Sequence, residues 1–312
     1  MKKRNPEKIL KNLKIGLALG GGAIRGAAHL GILSVFEEEG IKITKIAGTS
    51  AGAIVGGNYA SNPSAKEIFK RLSLTIYKLA NEKEKFSFFL KTDESVPFTK
   101  KIKDTLFKGF FYGTAITRGA VMKLEEYEIM MGELIEDKEI ESLSIPFVTT
   151  AVDVKGGRGV YIKSGSLKKA VMASSAIPGI FPPVEMDGMV LVDGGWLYPV
   201  PVIPLLKERL DMIIGVDISP EIKEETEFST GINIIMRTNF ITREHLKKMQ
   251  LKYADIVIRP EVGNVHPGDV SKFEFCYTKG VEAARIALPK ILEIGENKKK
   301  KRPYEGEEEI YF

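Results

Sequence analysis

The sequence predicts an α/β fold with a mainly parallel central sheet. Three observations support this class: strands and helices alternate through the first half, the predicted strands are short and apolar, and glycine-rich turns follow the first two strands. Strands that alternate with helices at this spacing form parallel sheets with helices packed against them. The 312 residues, 44% hydrophobic and 28% charged, are enough for one large domain of this class.

The first four predicted elements alternate strictly. They are a strand at 14–19, a helix at 26–39, a strand at 41–47 and a helix at 51–60. Gly40 suits the position that ends a helix, because glycine adopts the left-handed conformation found there. The turn at 48–52 joins the second strand to the second helix. We therefore expect the two strands to be parallel neighbours.

The remainder of the chain continues the same pattern after an interruption. The predicted elements are helical 114–140, strands at 146–154 and 160–163, a helix at 167–175, a hairpin at 184–192, a strand at 212–218, a helix at 242–253, a strand at 256–259 and a helix at 278–294. The hairpin turns at Asp187-Gly188, which is a strong two-residue turn signal. This pattern fits one domain better than two.

The domain is expected to span 14–295, between an N-terminal extension at 1–13 and a charged, poorly ordered tail at 296–312. A cap-like insertion covers about 81–140. Its first part, 81–112, interleaves phenylalanines with lysines. That composition suits a surface where acyl chains meet anionic head groups, or else a cap packed on its own small core.

Composition limits the class of partner and the compartment. The net charge of +5 is mild, and no nucleic-acid-binding motif accompanies it, so a nucleic-acid partner is not expected. The single cysteine, Cys276, fits a reducing compartment. The basic start is followed by no apolar core of a signal peptide, and no run reaches the roughly 18–20 apolar residues of a membrane span. We expect a cytoplasmic protein that associates with membranes at most peripherally.

Ser50 is the candidate nucleophile. It lies in Gly48-Thr49-Ser50-Ala51-Gly52, a G-x-S-x-G pentapeptide between a predicted strand and a helix of small residues. In that context the serine occupies a sharp turn that exposes its hydroxyl, and the two glycines avoid clashes with the strand and the helix. The same pattern also occurs by chance in glycine-rich loops. A serine alone is a weak nucleophile, so a base is required.

A second glycine-rich segment, Gly20-Gly21-Gly22-Ala23-Ile24-Arg25-Gly26, provides a run of backbone amides at a predicted helix start. Such a run can hold a negatively charged oxygen. A dinucleotide fingerprint fits poorly, because Arg25 stands where a small residue is needed and no acidic residue ends the second strand. We expect the amides of Gly21 and Gly22, with Ala51 as a third, to form an oxyanion hole. Arg25 either braces the loop or meets an anionic head group.

Asp193 is the candidate base. It ends an apolar strand, and Gly194 and Gly195 after it would allow another loop to approach closely. The alternative is an ordinary turn aspartate, as at Asp187. Because the ordinary pKa of aspartate is about 3.9, Asp193 would need burial or a close hydrogen bond to the serine to act as a base.

The three histidines decide whether a triad is present. We expect His29 to be structural and His245 to be solvated. His266 follows Ser50 and Asp193 in the chain order of an α/β-hydrolase triad, so a triad stays open as an alternative.

Together these motifs resemble the patatin-like phospholipases. The resemblance rests on the glycine loop, the G-x-S-x-G turn, Asp193-Gly194-Gly195 and the segment 173–179, ASSAIPG, and covers roughly 14–218. Pro199 replaces the asparagine that is common in the family. The resemblance implies a three-layer α/β/α fold. It also implies a Ser-Asp dyad of Ser50 and Asp193 without histidine.

The resemblance further implies that Gly20, Gly21 and Gly22 supply the oxyanion hole, supported by Arg25, Gly48, Gly52, Gly194 and Gly195. It implies a lipid acyl hydrolase that cleaves fatty acyl esters of phospholipids without calcium, another metal or a cofactor. Two alternatives remain. One is an esterase or thioesterase for small soluble acyl compounds, and the other is a non-enzymatic lipid-binding regulator on the same scaffold.

Overall fold

The structure is a computed structural model that describes residues 13–81, 119–222, 224, 228 and 230–297. Nearly all of the predicted N-terminal extension and charged tail, and the phenylalanine–lysine segment from residue 82 onward, lie outside the described residues. Within them the predicted α/β class is confirmed: one mixed, mostly parallel sheet carries helices on its faces.

The strands of the sheet are β1 Ile15–Leu19, β2 Ile43–Gly48, β3 Phe147–Asp153, β4 Arg158–Ile162, β5 Val184–Met186, β6 Met189–Asp193, β7 Met212–Val216 and β8 Ile256–Ile258. Their order is β5-β6-β3-β2-β1-β7-β8, and β4 pairs with β3 beside this path. The pairs β3–β2, β2–β1, β1–β7 and β7–β8 are parallel, while β4, β5 and β6 run antiparallel to their partners.

The helices are α1 Ala27–Glu38, α2 Ala51–Ser61, α3 Ala65–Asn81, α4 Leu124–Leu134, α5 Leu167–Ser175, α6 Gly231–Leu251 and α7 Phe273–Glu296. A short 3₁₀ turn at Ala23–Gly26 leads into α1, and another at Gly194–Trp196 follows β6. The predicted hairpin is confirmed. Asp187 and Gly188 both have positive φ, 50° and 76°, as the tight turn between β5 and β6 requires.

Two apolar cores cover opposite faces of the sheet. Alternate residues along a strand point to opposite faces, and β1 shows this directly: Leu17 and Leu19 belong to the larger core, whereas Ala18 belongs to the smaller one. Helices α1, α2, α5 and α7 contribute to the larger core. The smaller core is covered by the segment 197–210 and by Leu251 of α6. The three-layer α/β/α arrangement implied by the resemblance is therefore present.

Strand β3 places the ends of two other strands close together. The last residue of β2, Gly48, is paired with Thr149, and the last residue of β6, Asp193, is paired with Ala151. Because β2 runs parallel and β6 antiparallel to β3, their chains approach each other along this strand. The turns that follow β2 and β6 therefore meet over the middle of β3.

Three helices differ from the sequence predictions. Of the predicted helix at 114–140, residues 114–118 lie outside the described residues; within the rest, helix α4 covers 124–134 and ends there because Ile135 is already extended. Helix α6 begins at Gly231, eleven residues before the predicted start. Its first half is exposed, so no buried apolar stripe marks it. Helix α3 was not predicted, although Ile68, Leu72 and Leu79 are buried on one side of it.

Candidate active site

Ser50 occupies the sharp turn between β2 and α2. Its backbone has φ 54° and ψ −122°, a region that non-glycine residues rarely adopt and that costs of order 1–3 kcal/mol. The flanking glycines are required by close packing. A Cβ at Gly52 would lie 2.1 Å from the carbonyl oxygen of Leu19, and one at Gly48 would lie 2.5 Å from that of Gly52. Ser50 is only 9% exposed, so the structure buries the residue whose hydroxyl the sequence predicted to be exposed.

The glycine loop packs directly against this turn. A Cβ at Gly21 would lie 3.2 Å from Cβ of Ser50 and 3.9 Å from its Oγ. The amide of Gly20 donates to Val216 O at 3.0 Å, and the amide of Gly21 donates to Pro199 O at 3.1 Å. The amide of Gly22 donates to no backbone carbonyl among the residues that the structure describes. Two of the three predicted donors are thus engaged with carbonyls, and Gly22 is the available one.

Two buried side chains brace the loop from beneath. His29 Nε2 lies 2.8 Å from the carbonyl oxygen of Gly20, which can only accept, so the nitrogen carries the proton. Burial lowers the pKa of His29 to about 4, and the imidazole is therefore neutral at pH 7. Arg25 Nε donates to Gly22 O at 3.1 Å, and Arg25 is itself buried. Both contacts support the bracing interpretation of Arg25 and the structural one of His29.

Asp193 ends β6 in a buried position that faces the serine turn. Its Oδ1 accepts the amide of Gly195 at 2.6 Å. Burial raises the pKa of the carboxyl group above the ordinary value of aspartate. The Gly195 amide, a hydrogen bond from the Ser50 side chain and the positive charge of Arg243 oppose that rise. The structure thus brings the predicted nucleophile and base together, with a carboxylate more basic than an exposed aspartate.

The glycines after Asp193 allow the close packing that the sequence predicted. A Cβ at Gly194 would lie 2.3 Å from Thr150 O, and one at Gly195 would lie 2.9 Å from Asp193 Oδ1. Beneath them, the buried hydroxyls of Thr49 and Thr150 are 2.7 Å apart and hydrogen-bonded. This contact joins the serine turn to the centre of β3.

Sequence reasoning missed two residues of the site. Ser174, near the end of α5, accepts the amide of Ser50 on its Oγ at 3.0 Å. Arg243 of α6 donates from Nε to Gly195 O at 2.9 Å and lies 5.3 Å from the centre of the Trp196 ring. Ser174 lies in the ASSAIPG segment that carries part of the resemblance, so the sequence contained a motif that could have identified it. Arg243 lies about fifty residues after the last motif, and no pattern in the sequence identifies it.

No histidine is among the groups that act on Asp193. Its pKa responds to Gly195, Ser50 and Arg243. His245 and His266 are exposed, and His266 Nδ1 accepts the amide of Gly268 at 3.1 Å. The described residues contain no cluster of histidine, cysteine and carboxylate side chains that could hold a metal ion. Over the same residues, no helix has the length and apolar character that crossing a membrane requires.

A serine turn and a glycine loop on a three-layer α/β/α sheet define the class as an α/β protein of the patatin fold. The chain belongs to the patatin-like phospholipase family, because the model of that family matches residues 17–206. The match includes the glycine loop, the serine turn and Asp193 with its two glycines.

Two curated relatives and one solved structure illustrate the likeness. An uncharacterized NTE family protein of Mycobacterium tuberculosis is 31% identical over 207 residues, covering 66% of this chain and 49% of the relative. Lysophospholipase NTE1 of Saccharomyces cerevisiae is 25% identical, covering 92% of this chain and 17% of the relative. VipD from Legionella pneumophila is 13% identical, with a TM-score of 0.42, covering 89% of this chain and 67% of that chain. This chain therefore spans about half or less of the length of the curated relatives.

Proposed function

We propose that this chain is a lipid acyl hydrolase that cleaves fatty acyl ester bonds of phospholipids with a dyad of Ser50 and Asp193. The observation that carries the proposal is the meeting of two strand ends: a strained serine turn after β2 and a buried carboxylate at the end of β6, both over β3. Family membership supports the lipid ester as substrate class, as does the name lysophospholipase of the yeast relative.

In the first step Asp193 accepts the proton of Ser50 Oγ while this oxygen attacks the acyl carbonyl carbon. Burial supports this role because it raises the pKa of Asp193 and makes the carboxylate a better proton acceptor. The amide of Gly195 and the charge of Arg243 keep the carboxylate ionised enough to serve as a base. The strain at Ser50 fixes the hydroxyl at the turn before substrate arrives.

The developing oxyanion is held by backbone amides beside Ser50. We assign the amide of Gly22 to this role, with that of Ala51 as a second donor, because neither donates to a backbone carbonyl among the described residues. Gly20 and Gly21 would first have to release Val216 O and Pro199 O, so they shape the loop instead. In other enzymes one such donor is worth about 3–4 kcal/mol of transition-state stabilisation.

Collapse of the tetrahedral intermediate expels the alcohol or lysophospholipid, which takes the proton from Asp193. An acyl group then remains on Ser50 Oγ. Asp193 next takes a proton from a water molecule, whose oxygen attacks the same carbonyl carbon. The fatty acid leaves and Ser50 regains its proton. The cycle needs no metal or cofactor.

Hydrolysis of p-nitrophenyl esters of increasing acyl length tests the proposal. Wild type, Ser50→Ala and Ser144→Ala, an exposed serine far from the motif, are compared. The proposal expects turnover in wild type and Ser144→Ala, loss in Ser50→Ala, and a preference for long acyl chains. A preference for short chains would favour the small-ester or thioesterase alternative. Turnover that survives in Ser50→Ala would refute the nucleophile, and no turnover in any variant would favour the non-enzymatic regulator.

A further inference from the structure

Helix α6 has an exposed side that is rich in apolar residues. We define the outer face of α6 as the residues at helical spacing that point away from the sheet. Its large apolar side chains are half-exposed, between 46% and 57%: Ile234, Ile235, Ile241, Met249 and, just past the helix end, Tyr253. The polar residues on this face are Thr238, Thr242, His245 and, just past the helix end, Lys252. An apolar strip of this length is unusual on the surface of a helix.

Among the residues that the structure describes, the first half of α6 is more exposed than its second half. Met236 and Lys247 lie on the same side of the helix, because eleven residues correspond to about three full turns. Lys247 is only 5% exposed, whereas Met236 is 50% exposed. The side that is covered near the end of the helix is therefore open near its beginning.

The exposed charges near the outer face of α6 all have the same sign. Glu244 is its one acidic residue, and it is buried and paired with Lys247 at 2.7 Å. The exposed charges on and beside the outer face are cationic: Lys248 in the last turn of α6 and Lys252 just past its end. An apolar strip with two lysines at its C-terminal end, and with no exposed carboxylate on α6 itself, matches a lipid surface whose interior is apolar and whose outer layer is negatively charged. Interfaces between proteins are depleted in lysine, which argues for lipid over a protein partner.

The same helix forms part of the candidate active site. Arg243 contacts Gly195 next to Asp193, and Gln250 donates to Leu197 O at 2.7 Å. Lys247 also pairs with the buried Asp217 at 3.1 Å, directly after β7. These three polar contacts, of which the Lys247–Asp217 pair is buried, hold the second half of α6 against the segments that follow β6 and β7. A bilayer or partner that binds the first half of α6 would therefore also fix the orientation of the candidate active site relative to itself.

We infer that the outer face of α6 docks this chain onto an anionic phospholipid bilayer. The apolar side chains enter the boundary between head groups and acyl chains, and the lysines meet the lipid phosphates. This inference rests on the proposed function, since it supplies the route by which a bilayer phospholipid reaches Ser50. A second copy of this chain is the competing occupant.

Co-sedimentation with vesicles tests the inference. The vesicles are phosphatidylcholine alone or phosphatidylcholine with phosphatidylglycerol. The test variant is I234S/I235S/I241S. Its matched control is L74S/I129S/I286S, which removes three apolar side chains that are 65–80% exposed on other helices. A second variant, K248Q/K252Q, removes charge alone, and I234L/I235L/I241L keeps apolar character.

The inference expects I234S/I235S/I241S to lose binding to anionic vesicles about fivefold or more, while the control and the leucine variant bind as wild type does. K248Q/K252Q should lose about tenfold on anionic vesicles and little on phosphatidylcholine. Equal binding by wild type and I234S/I235S/I241S would overturn the inference. A second result would also overturn it: light scattering shows that wild type is a dimer and I234S/I235S/I241S a monomer, and the wild-type dimer does not bind vesicles.

Hydrolysis of a soluble p-nitrophenyl ester separates this inference from the proposed function. I234S/I235S/I241S should hydrolyse it at the wild-type rate, because the three side chains lie outside the catalytic groups. That result also shows that the variant is folded. If wild type itself hydrolyses no ester, the proposed function fails, whereas the vesicle result still decides whether the outer face of α6 binds lipid.

Discussion

The backbone amides of Ser50 and Asp193 both donate to one short segment at the end of α5. The amide of Ser50 donates to Ser174 Oγ at 3.0 Å, and that of Asp193 donates to Ala176 O, also at 3.0 Å. The end of one helix therefore sets the separation between the two residues to which we assign the chemistry. Its position is itself fixed by the larger core, in which Val171 and Ala173 are fully buried.

The first prediction concerns Ser174 and its neighbour Ser175. Ser174→Ala leaves the buried amide of Ser50 without its acceptor, and should lower the free energy of unfolding by about 1–3 kcal/mol and reduce kcat. Ser175 is the matched control, because its buried hydroxyl has no partner among the described residues. Ser175→Ala should therefore be neutral or slightly stabilising. Urea unfolding and ester hydrolysis measure both effects, and equal behaviour of the two variants would contradict this account of α5.

The second prediction concerns Asp193 as proton acceptor. Asp193→Asn keeps the shape of the side chain but removes its basicity, and should reduce kcat by about 10²–10⁴-fold. Asp187→Asn in the exposed hairpin turn is the control. It should leave kcat unchanged, because asparagine also adopts positive φ. If Asp193→Asn hydrolyses esters at the wild-type rate, Asp193 is only a turn residue.

The pH dependence of Asp193 follows from its burial. Its pKa in the folded protein is raised, so the group binds its proton at a higher pH than in the unfolded chain. The folded state is therefore favoured at low pH and loses this contribution as pH rises through the raised pKa. Hence Asp193→Asn should unfold at a higher temperature than wild type at pH 7 while being inactive. A lower melting temperature would show that the carboxylate stabilises the fold, contrary to this interpretation.

Activity should show the opposite trend with pH, because only the ionised carboxylate accepts a proton. We expect kcat/KM for a soluble ester to fall on acidification, with a midpoint above the value of about 3.9 that is ordinary for aspartate. Circular dichroism at each pH separates this fall from unfolding. A profile that stays flat down to about pH 4 would contradict the raised pKa.

A further prediction concerns the buried His29. Its pKa is lowered from 6.5 to about 4, so the unfolded chain takes up a proton first as the pH falls. Stability is therefore fully present above pH 6.5 and is lost between there and pH 4, by up to about 3 kcal/mol. His29→Gln can still donate to Gly20 O but does not titrate, so it should flatten this dependence. The exposed His245→Gln is the control, and a slope unchanged in His29→Gln would contradict the assignment.

Local features of the sequence predicted much of the fold and the site. Each strand–turn–helix unit is encoded within about thirty residues, and Asp187-Gly188 specifies a hairpin turn by itself. Gly48 and Gly52 likewise identify the serine turn locally. They must be glycines because their neighbours leave no room for a Cβ.

Contacts between segments that are distant in the sequence could not be predicted from it. No local pattern shows that Arg243 reaches Gly195, or that Gly20 and Gly21 donate to carbonyls of later segments. The early start of α6 was not predicted because the first half of this helix has no buried apolar stripe. The role of the phenylalanine–lysine segment, as a lipid-facing surface or as a cap packed on its own core, stays a prediction.

The most direct test of the central claim is covalent labelling of Ser50. A fluorophosphonate reacts with a serine only where a base and an oxyanion site activate its hydroxyl. Intact-mass spectrometry followed by peptide mapping should find one label, on Ser50, in wild type, and none in Ser50→Ala. Labelling of Asp193→Asn should be slower by at least about 100-fold. A label on another residue, or an equal labelling rate in Asp193→Asn, would contradict the Ser50–Asp193 dyad.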